Sequence, residues 1–325
     1  MSASIEPIKK PIAAELDRFE REFRQSMKTA VPLLDTIMTY IVKRKGKQVR
    51  PLFVLYSAQL FGSINDRTYR GASLVELLHT ATLVHDDVVD DSFQRRGFFS
   101  INALWKNKIA VLVGDYLLSR GLLLSVQNKD FDMLEILSDS VREMSEGELL
   151  QLERARNMSA TEEVYFEIIR KKTASLIASC CHIGAVSTCS DEDTLKAMAR
   201  FGECIGLAFQ IRDDLFDFGD NKSGKPAGLD IKEKKLTLPI IYALSQAPKS
   251  EAKAVKKLIK GKQSDSQKMA GVLAFVEQYG GMDYARNKMN ELRNEAFQIL
   301  RSLKTQESAA AHLEALVNFV IDRNA

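Results

Sequence analysis

The chain has 325 residues, of which 45% are apolar and 27% are charged. This apolar content is enough to bury a sizeable core, which excludes a disordered chain, and the length fits one large domain or two smaller ones. A net charge of +3, from 46 Lys and Arg against 43 Asp and Glu, argues against a general binder of nucleic acid.

The sequence predicts neither a targeting signal nor a membrane anchor. The first eleven residues carry two lysines but no apolar stretch behind them. The longest apolar region, 109–126, contains Asp115 and Arg120, which favours a buried helix of a soluble protein over a membrane span. We therefore expect a cytoplasmic protein without stable membrane insertion.

The cysteines fit the same compartment. Cys180, Cys181, Cys189 and Cys204 lie in apolar helical sequence without Cys-x-x-Cys spacing. Buried, reduced thiols are the simplest interpretation, although a zinc or redox role stays open.

Helical periodicity dominates the chain. No proline occurs between Pro51 and Pro226, and segments such as 72–91 and 183–218 repeat apolar residues every three or four positions. Strand alternation is nowhere sustained. The pattern predicts an all-α protein of about ten or more helices. Since no linker is evident, we expect a single domain over 1–325.

The first helices are predicted at 6–27 and 32–42, and a basic turn follows. Gly46 opens this turn, and Lys47 and Arg50 can together grip an anionic group. Taken alone, a turn of this kind is more often a solvated loop.

The next helix, capped by Asn65 or Asp66, ends in an acidic motif. Positions i, i+1 and i+4 fall within about a 100° arc of a helix, so Asp86, Asp87 and Asp90 should project together. Crowded carboxylates in apolar sequence favour a bound hard cation, Mg²⁺ or Mn²⁺, over a solvated acidic face.

Residues on either side of this motif fit an anionic ligand. His79 lies two turns before Asp86 on nearly the same face, and Asp91 lies at the edge of the arc. Arg95 and Arg96 follow and suit a phosphorylated ligand shared with a metal, or else simply neutralise the acids.

The acidic pattern returns near the end of a later helix. Asp213, Asp214 and Asp217 repeat the spacing, and Gln210 lies one turn earlier on the same arc. Further helices are predicted over 101–126 and 131–155.

Two other segments carry cations. Lys172 and Thr173 lie in the middle of a helical run that begins near Thr161 and continues through Gly184, and by themselves they are a weak sign of a cavity. The loop 219–230, rich in Gly, Asp and Lys, predicts a lid over an anionic substrate. Beyond it, helices are predicted to be separated at Pro248, Gly261, Gly280 and Gln306.

Together these motifs resemble those of the trans-type polyprenyl diphosphate synthases, and most of all the long-chain octaprenyl and solanesyl types. The motifs are Gly46-Lys-Gln-Val-Arg-Pro51, Asp86-Asp-Val-Val-Asp90, Arg95-Arg-Gly97, Gly147-Glu148 with Gln151, Lys172-Thr173, Gln210 with Asp213-Asp-Leu-Phe-Asp217, and Gly224-Lys-Pro226 with Asp230. The resemblance spans essentially the whole chain. It implies antiparallel helices around a deep cavity, a homodimer, and condensation of isopentenyl diphosphate with an allylic diphosphate.

The resemblance also implies roles for individual residues. Both aspartate triplets would bind Mg²⁺, roughly three ions for each active site, with Mn²⁺ able to substitute. Isopentenyl diphosphate would be held by Lys47, Arg50, His79 and Arg96. The allylic diphosphate would be held by Arg95, Lys172, Lys225 and Lys235, with Thr173 and Gln210 nearby. The catalytic set would be Asp86, Asp87, Asp90, Arg95, Lys172, Asp213 and Asp214.

Product length depends on the positions before the first motif. Short-chain members commonly carry bulky aromatics there, whereas this chain has Ala81 and Thr82, which predicts an open channel and a long product of quinone side-chain length. Two departures from the family pattern are Lys234, which stands where a glycine is usual beside Lys235, and the pair Phe98-Phe99.

Three alternatives remain open. The chain can be a geranylgeranyl- or farnesyl-type short-chain synthase, a class I terpene cyclase, or a silent subunit of a heteromeric synthase. A cyclase typically has Asn, Ser and Glu in place of the second aspartate triplet. It also does not need the basic residues that bind isopentenyl diphosphate, here Lys47, Arg50 and Arg96. Silent subunits tend to lose an acidic motif, and both are intact here.

Overall fold

The structure is a computed structural model that describes residues 4–43, 46–95, 97–157, 161–219, 231, 235–261 and 263–322, with the backbone alone described at 95, 156, 157 and 265. The predicted Arg96 and Lys225 lie outside the described residues, as do Lys234 and most of the predicted lid. The side chain of Arg95 also lies outside them.

The predicted all-α class is confirmed. The helices are α1 (Glu6–Lys9), α2 (Ala13–Ser26), α3 (Pro32–Lys43), α4 (Val49–Gln59), α5 (Asp66–Val89), α6 (Ile101–Asn128), α7 (Phe131–Asn157), α8 (Glu162–Ile169), α9 (Ser175–Val186), α10 (Glu192–Asp217), α11 (Leu238–Gln246), α12 (Lys249–Lys260), α13 (Asp265–Gln278), α14 (Gly281–Ser302) and α15 (Glu307–Asp322). A 3₁₀ turn, Lys10–Ile12, joins α1 to α2, and a π-helical turn, Arg170–Ala174, joins α8 to α9.

Helix α4 lies at the centre of the bundle. It packs against α5, α9 and α15, and α10 packs against both α9 and α14. Every residue of α4 from Pro51 to Ala58 is buried, as its nearly uniform apolar sequence requires. A second apolar cluster joins α8 and the end of α10 to α11 through α14, and a third lies between α3, α5 and α6.

Glycines let the central helices approach closely. A Cβ on Gly206 of α10 would lie 2.4 Å from the Cα of Ala174, and one on Gly184 of α9 would lie 2.3 Å from the carbonyl oxygen of Val54. A Cβ on Gly147 of α7 would lie 2.9 Å from the backbone nitrogen of Lys172. These contacts set the distances between the helices around the π-helical turn.

Several predicted boundaries are confirmed by caps. The side chain of Asn65 accepts a hydrogen bond from the backbone of Thr68 in a capping box at the start of α5. The side chain of Thr161 caps α8 by accepting a hydrogen bond from the backbone of Val164, and Pro248 and Gly280 occupy the N-cap positions of α12 and α14.

The structure also corrects the predicted elements. The helix predicted over 6–27 is broken at the 3₁₀ turn that contains Pro11. A short hairpin, β1 (Gln94–Arg95) with β2 (Phe98–Phe99), lies between α5 and α6, where no strand was predicted. Two-residue strands are too short to produce the alternation from which strands are recognised.

The burial of helix α6 differs from the prediction. Lys106, with φ 68° and ψ 161°, kinks it near its start. Within the described residues it is the one helix long and apolar enough to cross a membrane, yet only 33% of its apolar window is buried. The expected buried helix is therefore wrong for one face, which exposes Leu112, Leu122, Leu123 and Val126.

The cysteine prediction is confirmed with one exception. All four thiols are free, and Cys180, Cys181 and Cys204 are buried, whereas Cys189 is half-buried. Burial raises the pKa of Cys181 and of Cys204 to about 12, so both remain protonated and poorly nucleophilic near neutral pH.

Gly206→Ala should destabilise the protein. The added methyl meets the backbone of Ala174, so overpacking of about 1–3 kcal/mol should outweigh a helix-propensity gain of about 1 kcal/mol. In the control Gly121→Ala, the nearest atom is the movable methyl tip of Leu74 at 3.3 Å. Urea unfolding should show a loss for Gly206→Ala alone, and equal effects would contradict the packing argument.

Candidate functional site

The carboxylate of Asp214 is the most constrained group of the second acidic motif. Only 4% of the residue is exposed. Its Oδ2 accepts a hydrogen bond of 2.6 Å from the hydroxyl of Tyr165, and its Oδ1 accepts one of 2.9 Å from Nε2 of Gln210. A buried carboxylate that accepts two hydrogen bonds is fixed in position.

The orientation of Gln210 is itself fixed. The hydroxyl of Thr173 donates to Oε1 of Gln210 at 2.8 Å, which leaves the amide nitrogen directed towards Asp214. Thr173 therefore acts on Asp214 through Gln210. The three elements joined by these bonds are α8, the π-helical turn and α10.

The π-helical turn explains how Lys172 and Thr173 reach this place. A π-helical turn widens the helix by one residue and shifts the side chains that it carries. Gly147 lies against its backbone, and the next residue, Glu148, forms an ion pair with Lys172. Gln151 donates to the same carboxylate at 3.4 Å.

A cavity opens beside Asp214. Its polar lining includes Gln151, Arg154, Lys172, Thr173, Lys235 and Asp214. Three of these side chains are cationic, so the cavity can hold an anion with several negative charges. Its wall is apolar at Ile168, Ile169 and Leu236.

Arg154 was not predicted as a site residue. Its Nε atom is buried and, among the described residues, makes no hydrogen bond. Such a donor facing a cavity is suited to an anionic ligand. A signal was present, because Arg154 follows Gly147 and Gln151 at helical spacing and therefore shares their face of α7.

The first acidic motif lies at the end of α5. Asp87 is buried, whereas Asp86 and Asp90 are exposed. The backbone carbonyl of Asp87 accepts a hydrogen bond of 2.9 Å from the side chain of Asn102, which ties this helix end to α6.

The expected convergence of each aspartate triplet is not observed. Within the described ranges, no group of three or more His, Cys, Asp and Glu side chains lies close enough to hold a metal ion. Helix α5 ends at Val89, so Asp90 leaves the helical arc. Asp213 is drawn aside by the guanidinium of Arg212 at 2.9 Å, while Asp214 turns into the cavity.

Arg212 is a second site-related residue that was not predicted. It is buried, and its guanidinium donates to the carbonyl oxygen of Val320 in α15 as well as to Asp213. It also lies 4.6 Å from the centroid of the Phe216 ring. Arg212 thus connects the second acidic motif to α15.

The basic turn before α4 lies apart from the lining of this cavity. Gln48, in the left-handed conformation with φ 56°, donates to Glu20 of α2 at 3.0 Å. The ammonium group of Lys47 lies 5.3 Å from the centroid of the Phe319 ring. Arg50 is half-buried in the first turn of α4, and His79 is buried on α5.

The predicted site residues therefore fall into two sets. The cavity brings together Lys172, Thr173, Gln210, Asp214 and Lys235. Its lining does not include Lys47, Arg50, His79, Asp86, Asp87, Asp90, Asp213 or Asp217.

The two predicted length-determining residues differ in exposure. Ala81 is fully buried in the apolar cluster between α3, α5 and α6. Thr82 is half-buried, and its hydroxyl donates to the carbonyl oxygen of His79 within the same helix.

Comparisons with known proteins identify similar chains. The polyprenyl synthetase family model matches residues 31–276. The chain is 32% identical to an octaprenyl diphosphate synthase of Haemophilus influenzae, covering 99% of this chain and 98% of the relative.

Solved structures of both long- and short-chain synthases are also similar. A decaprenyl diphosphate synthase from Rhodobacter capsulatus superposes with a TM-score of 0.90 at 33% identity, covering 98% of this chain and 99% of the other. A geranylgeranyl pyrophosphate synthase from Bacteroides thetaiotaomicron gives a TM-score of 0.82 at 37% identity, again over 98% and 99%.

Tyr165→Phe should destabilise the fold. It leaves the buried Asp214 with one donor fewer, and we expect a loss of about 1.5–3 kcal/mol in the free energy of unfolding. Tyr279→Phe is the matched control, because its hydroxyl bonds Glu251 at an exposed position and should contribute below about 0.5 kcal/mol. Chemical denaturation measures both, and equal losses would contradict the role of the Tyr165 bond.

Proposed function

This chain belongs to the polyprenyl synthetase family, and on that premise we propose that it condenses isopentenyl diphosphate with an allylic diphosphate to make a long-chain all-trans polyprenyl diphosphate. The single observation that carries the proposal is the cavity in which Asp214, held by Tyr165 and Gln210, lies beside Lys172 and Lys235. A fixed carboxylate beside several cations suits a diphosphate that binds together with a metal ion.

Magnesium fits the donor chemistry of the two motifs. Carboxylate oxygens are hard ligands of the kind Mg²⁺ prefers, and the chain supplies six carboxylates, from Asp86, Asp87, Asp90, Asp213, Asp214 and Asp217. Bound there, Mg²⁺ would neutralise charge on the leaving diphosphate. The exposed Asp86 and Asp90 and the buried Asp214 are the first candidates to hold it.

The cationic side chains would bind the substrates. We assign the allylic diphosphate to Lys172, Lys235 and Arg154, together with Arg95 and Lys225 from the family pattern. Isopentenyl diphosphate is assigned to Lys47, Arg50, His79 and Arg96. Cations placed before reaction stabilise the negative charge that grows as the allylic C–O bond breaks and its electron pair moves to the diphosphate.

The apolar wall protects the reacting carbon. Ile168, Ile169 and Leu236 keep water from the allylic cation, which would otherwise be hydrolysed. The double bond of isopentenyl diphosphate then forms the new carbon–carbon bond, and a proton leaves the adjacent carbon for the released diphosphate. No protein nucleophile is needed.

We propose a long product of quinone side-chain length, made in the cytoplasm. The proposal is supported by the small side chains of Ala81 and Thr82 and by the long-chain relatives. The similarity to a geranylgeranyl synthase supports the short-chain alternative. Product length therefore decides between the two.

Elongation of farnesyl diphosphate by the purified chain with isopentenyl diphosphate and Mg²⁺ tests this function. We expect products longer than geranylgeranyl diphosphate, separated by chromatography, and no turnover without isopentenyl diphosphate. A cyclic product without isopentenyl diphosphate would indicate a terpene cyclase. Activity only with a second protein would indicate a subunit of a heteromeric synthase.

Ala81→Phe should shorten the product, because an aromatic ring would obstruct the path below the first motif. Overpacking of about 1–3 kcal/mol is expected at this buried site, so Thr82→Phe provides a second test at a half-buried position. Folded variants with unchanged product lengths would contradict the channel at these residues.

Arg154→Met should raise the KM for the allylic diphosphate about tenfold or more, because a charged hydrogen bond to the ligand is lost. The KM for isopentenyl diphosphate should change little. Arg142→Met on the same helix is the control, since Arg142 is exposed and pairs with Glu146. Equal KM values for the allylic diphosphate in both variants would contradict the assignment of Arg154 as a ligand of this substrate.

The exposed face of α6 supports the expected homodimer. Leu112, Leu122, Leu123 and Val126 share one face of the helix, and each is 46–56% exposed. A helix face that exposes several large apolar side chains is typical of an interface between subunits. We propose that two copies pack through it.

Leu122→Glu with Leu123→Glu should separate the dimer. Light scattering should give twice 36.5 kDa for the unchanged chain and 36.5 kDa for the double variant, because buried charges without partners oppose association. Leu33→Glu, an equally exposed leucine on α3, should leave the mass unchanged. A monomeric unchanged chain would contradict this interface.

A further inference from the structure

The hairpin between α5 and α6 exposes three phenylalanines. Phe93 is 65% exposed, Phe98 53% and Phe99 54%. Phe98 and Phe99 are consecutive on β2, so their side chains point to opposite faces of the hairpin, and both residues are exposed. Phe93, Phe98 and Phe99 together form the hairpin patch.

The hairpin is held firmly at its base. The hydroxyl of Tyr40 in α3 donates to the carbonyl oxygen of Phe99 at 2.8 Å, and the Tyr40 ring meets that of Trp105 edge-on at 5.1 Å. Ser100 donates through its hydroxyl to the carbonyl oxygen of Ser92 at 2.7 Å. These bonds support a hairpin that is too short to be stable by itself.

Basic residues flank the hairpin patch along the chain. Segment 36–65 contains five Lys and Arg residues and no Asp or Glu, and segment 92–114 contains four and none, although the whole chain has 43 acidic residues. Lys43, one turn after Tyr40, and Lys106, next to Trp105, are exposed and are not among the proposed ligands of the substrates. The nearest acids along the chain are Asp90 and Asp91, at the first motif.

We propose that the hairpin patch docks the protein on the surface of an anionic lipid bilayer. Exposed aromatic rings that enter the boundary between headgroups and acyl chains, beside lysines that contact anionic headgroups, are the chemistry of interfacial binding. The exposed Lys43 and Lys106, in two segments that carry no acidic residue, favour this occupant over a second copy of the chain. If the proposed function holds, the surface brings the first acidic motif close to the bilayer that must receive a long polyprenyl product.

The test measures binding of the purified full chain to sedimented vesicles, without any turnover. Vesicles of phosphatidylcholine with about a third phosphatidylglycerol should bind the chain about tenfold more tightly than phosphatidylcholine alone, and high salt should weaken the binding. Phe98→Ser with Phe99→Ser should weaken binding about tenfold, because apolar area no longer enters the bilayer.

The matched control is Phe131→Ser. Phe131 is 57% exposed and lies beyond the far end of α6, so its loss should not affect vesicle binding. Lys43→Glu with Lys106→Glu should reduce binding to the anionic vesicles alone. As a test that keeps an aromatic ring at position 98, Phe98→Trp combined with Trp105→Phe, which leaves a single tryptophan, should show a blue shift of its emission when anionic vesicles are added.

Three results would overturn the proposal. The first is failure of the unchanged chain to bind anionic vesicles. The second is equal loss in Phe131→Ser and in the Phe98 and Phe99 double variant, or no blue shift from Phe98→Trp. The third is conversion of a dimer to a monomer by that double variant, which would assign the patch to a second copy. None of these depends on elongation activity, so the proposed function is tested separately.

Discussion

The pair of hydrogen bonds to Asp214 is the interaction on which the arrangement of the site depends. Tyr165 and Gln210 place a buried carboxylate at one end of the cavity, and Thr173 fixes the amide that reaches it. Because these residues come from α8, the π-helical turn and α10, the site exists only when all three are packed correctly. Gly147 and Gly206 make that packing close, since a side chain at either position would separate the helices.

Charge and apolar surface are separated across the cavity. Lys172, Lys235 and Arg154 provide positive charge where a diphosphate can bind. The apolar wall of the cavity, formed by isoleucine and leucine side chains, provides no nucleophile. This separation suits a reaction that develops negative charge on a leaving group and positive charge on carbon, because each is met by a different surface. The buried thiols of α9 and α10 belong to the packing of the core and take no part in this chemistry.

The sequence predicted the helical class and most helix ends, because apolar periodicity and caps are local signals, as at Asn65 and Thr161. It also selected Lys172, Gln210 and Asp214, whose residue types reveal their chemistry. It did not predict the π-helical turn, the pairing of Asp213 with Arg212, or the exposure of α6. These depend on contacts between residues far apart in the chain. Arg154 could have been predicted as a site residue from its helical spacing after Gly147 and Gln151. An arginine on a helix is ordinarily solvated, however, so this signal is weak.

Joint action of the two acidic motifs on one diphosphate is tested most directly by a binding cycle. Calorimetry would measure Mg²⁺-dependent binding of an unreactive allylic thiolodiphosphate to the unchanged chain, Asp86→Asn, Asp214→Asn and the double variant. Joint binding predicts that either single change costs nearly as much as both, with a coupling above about 1 kcal/mol. Losses that add to within about 0.5 kcal/mol would contradict joint action of the motifs.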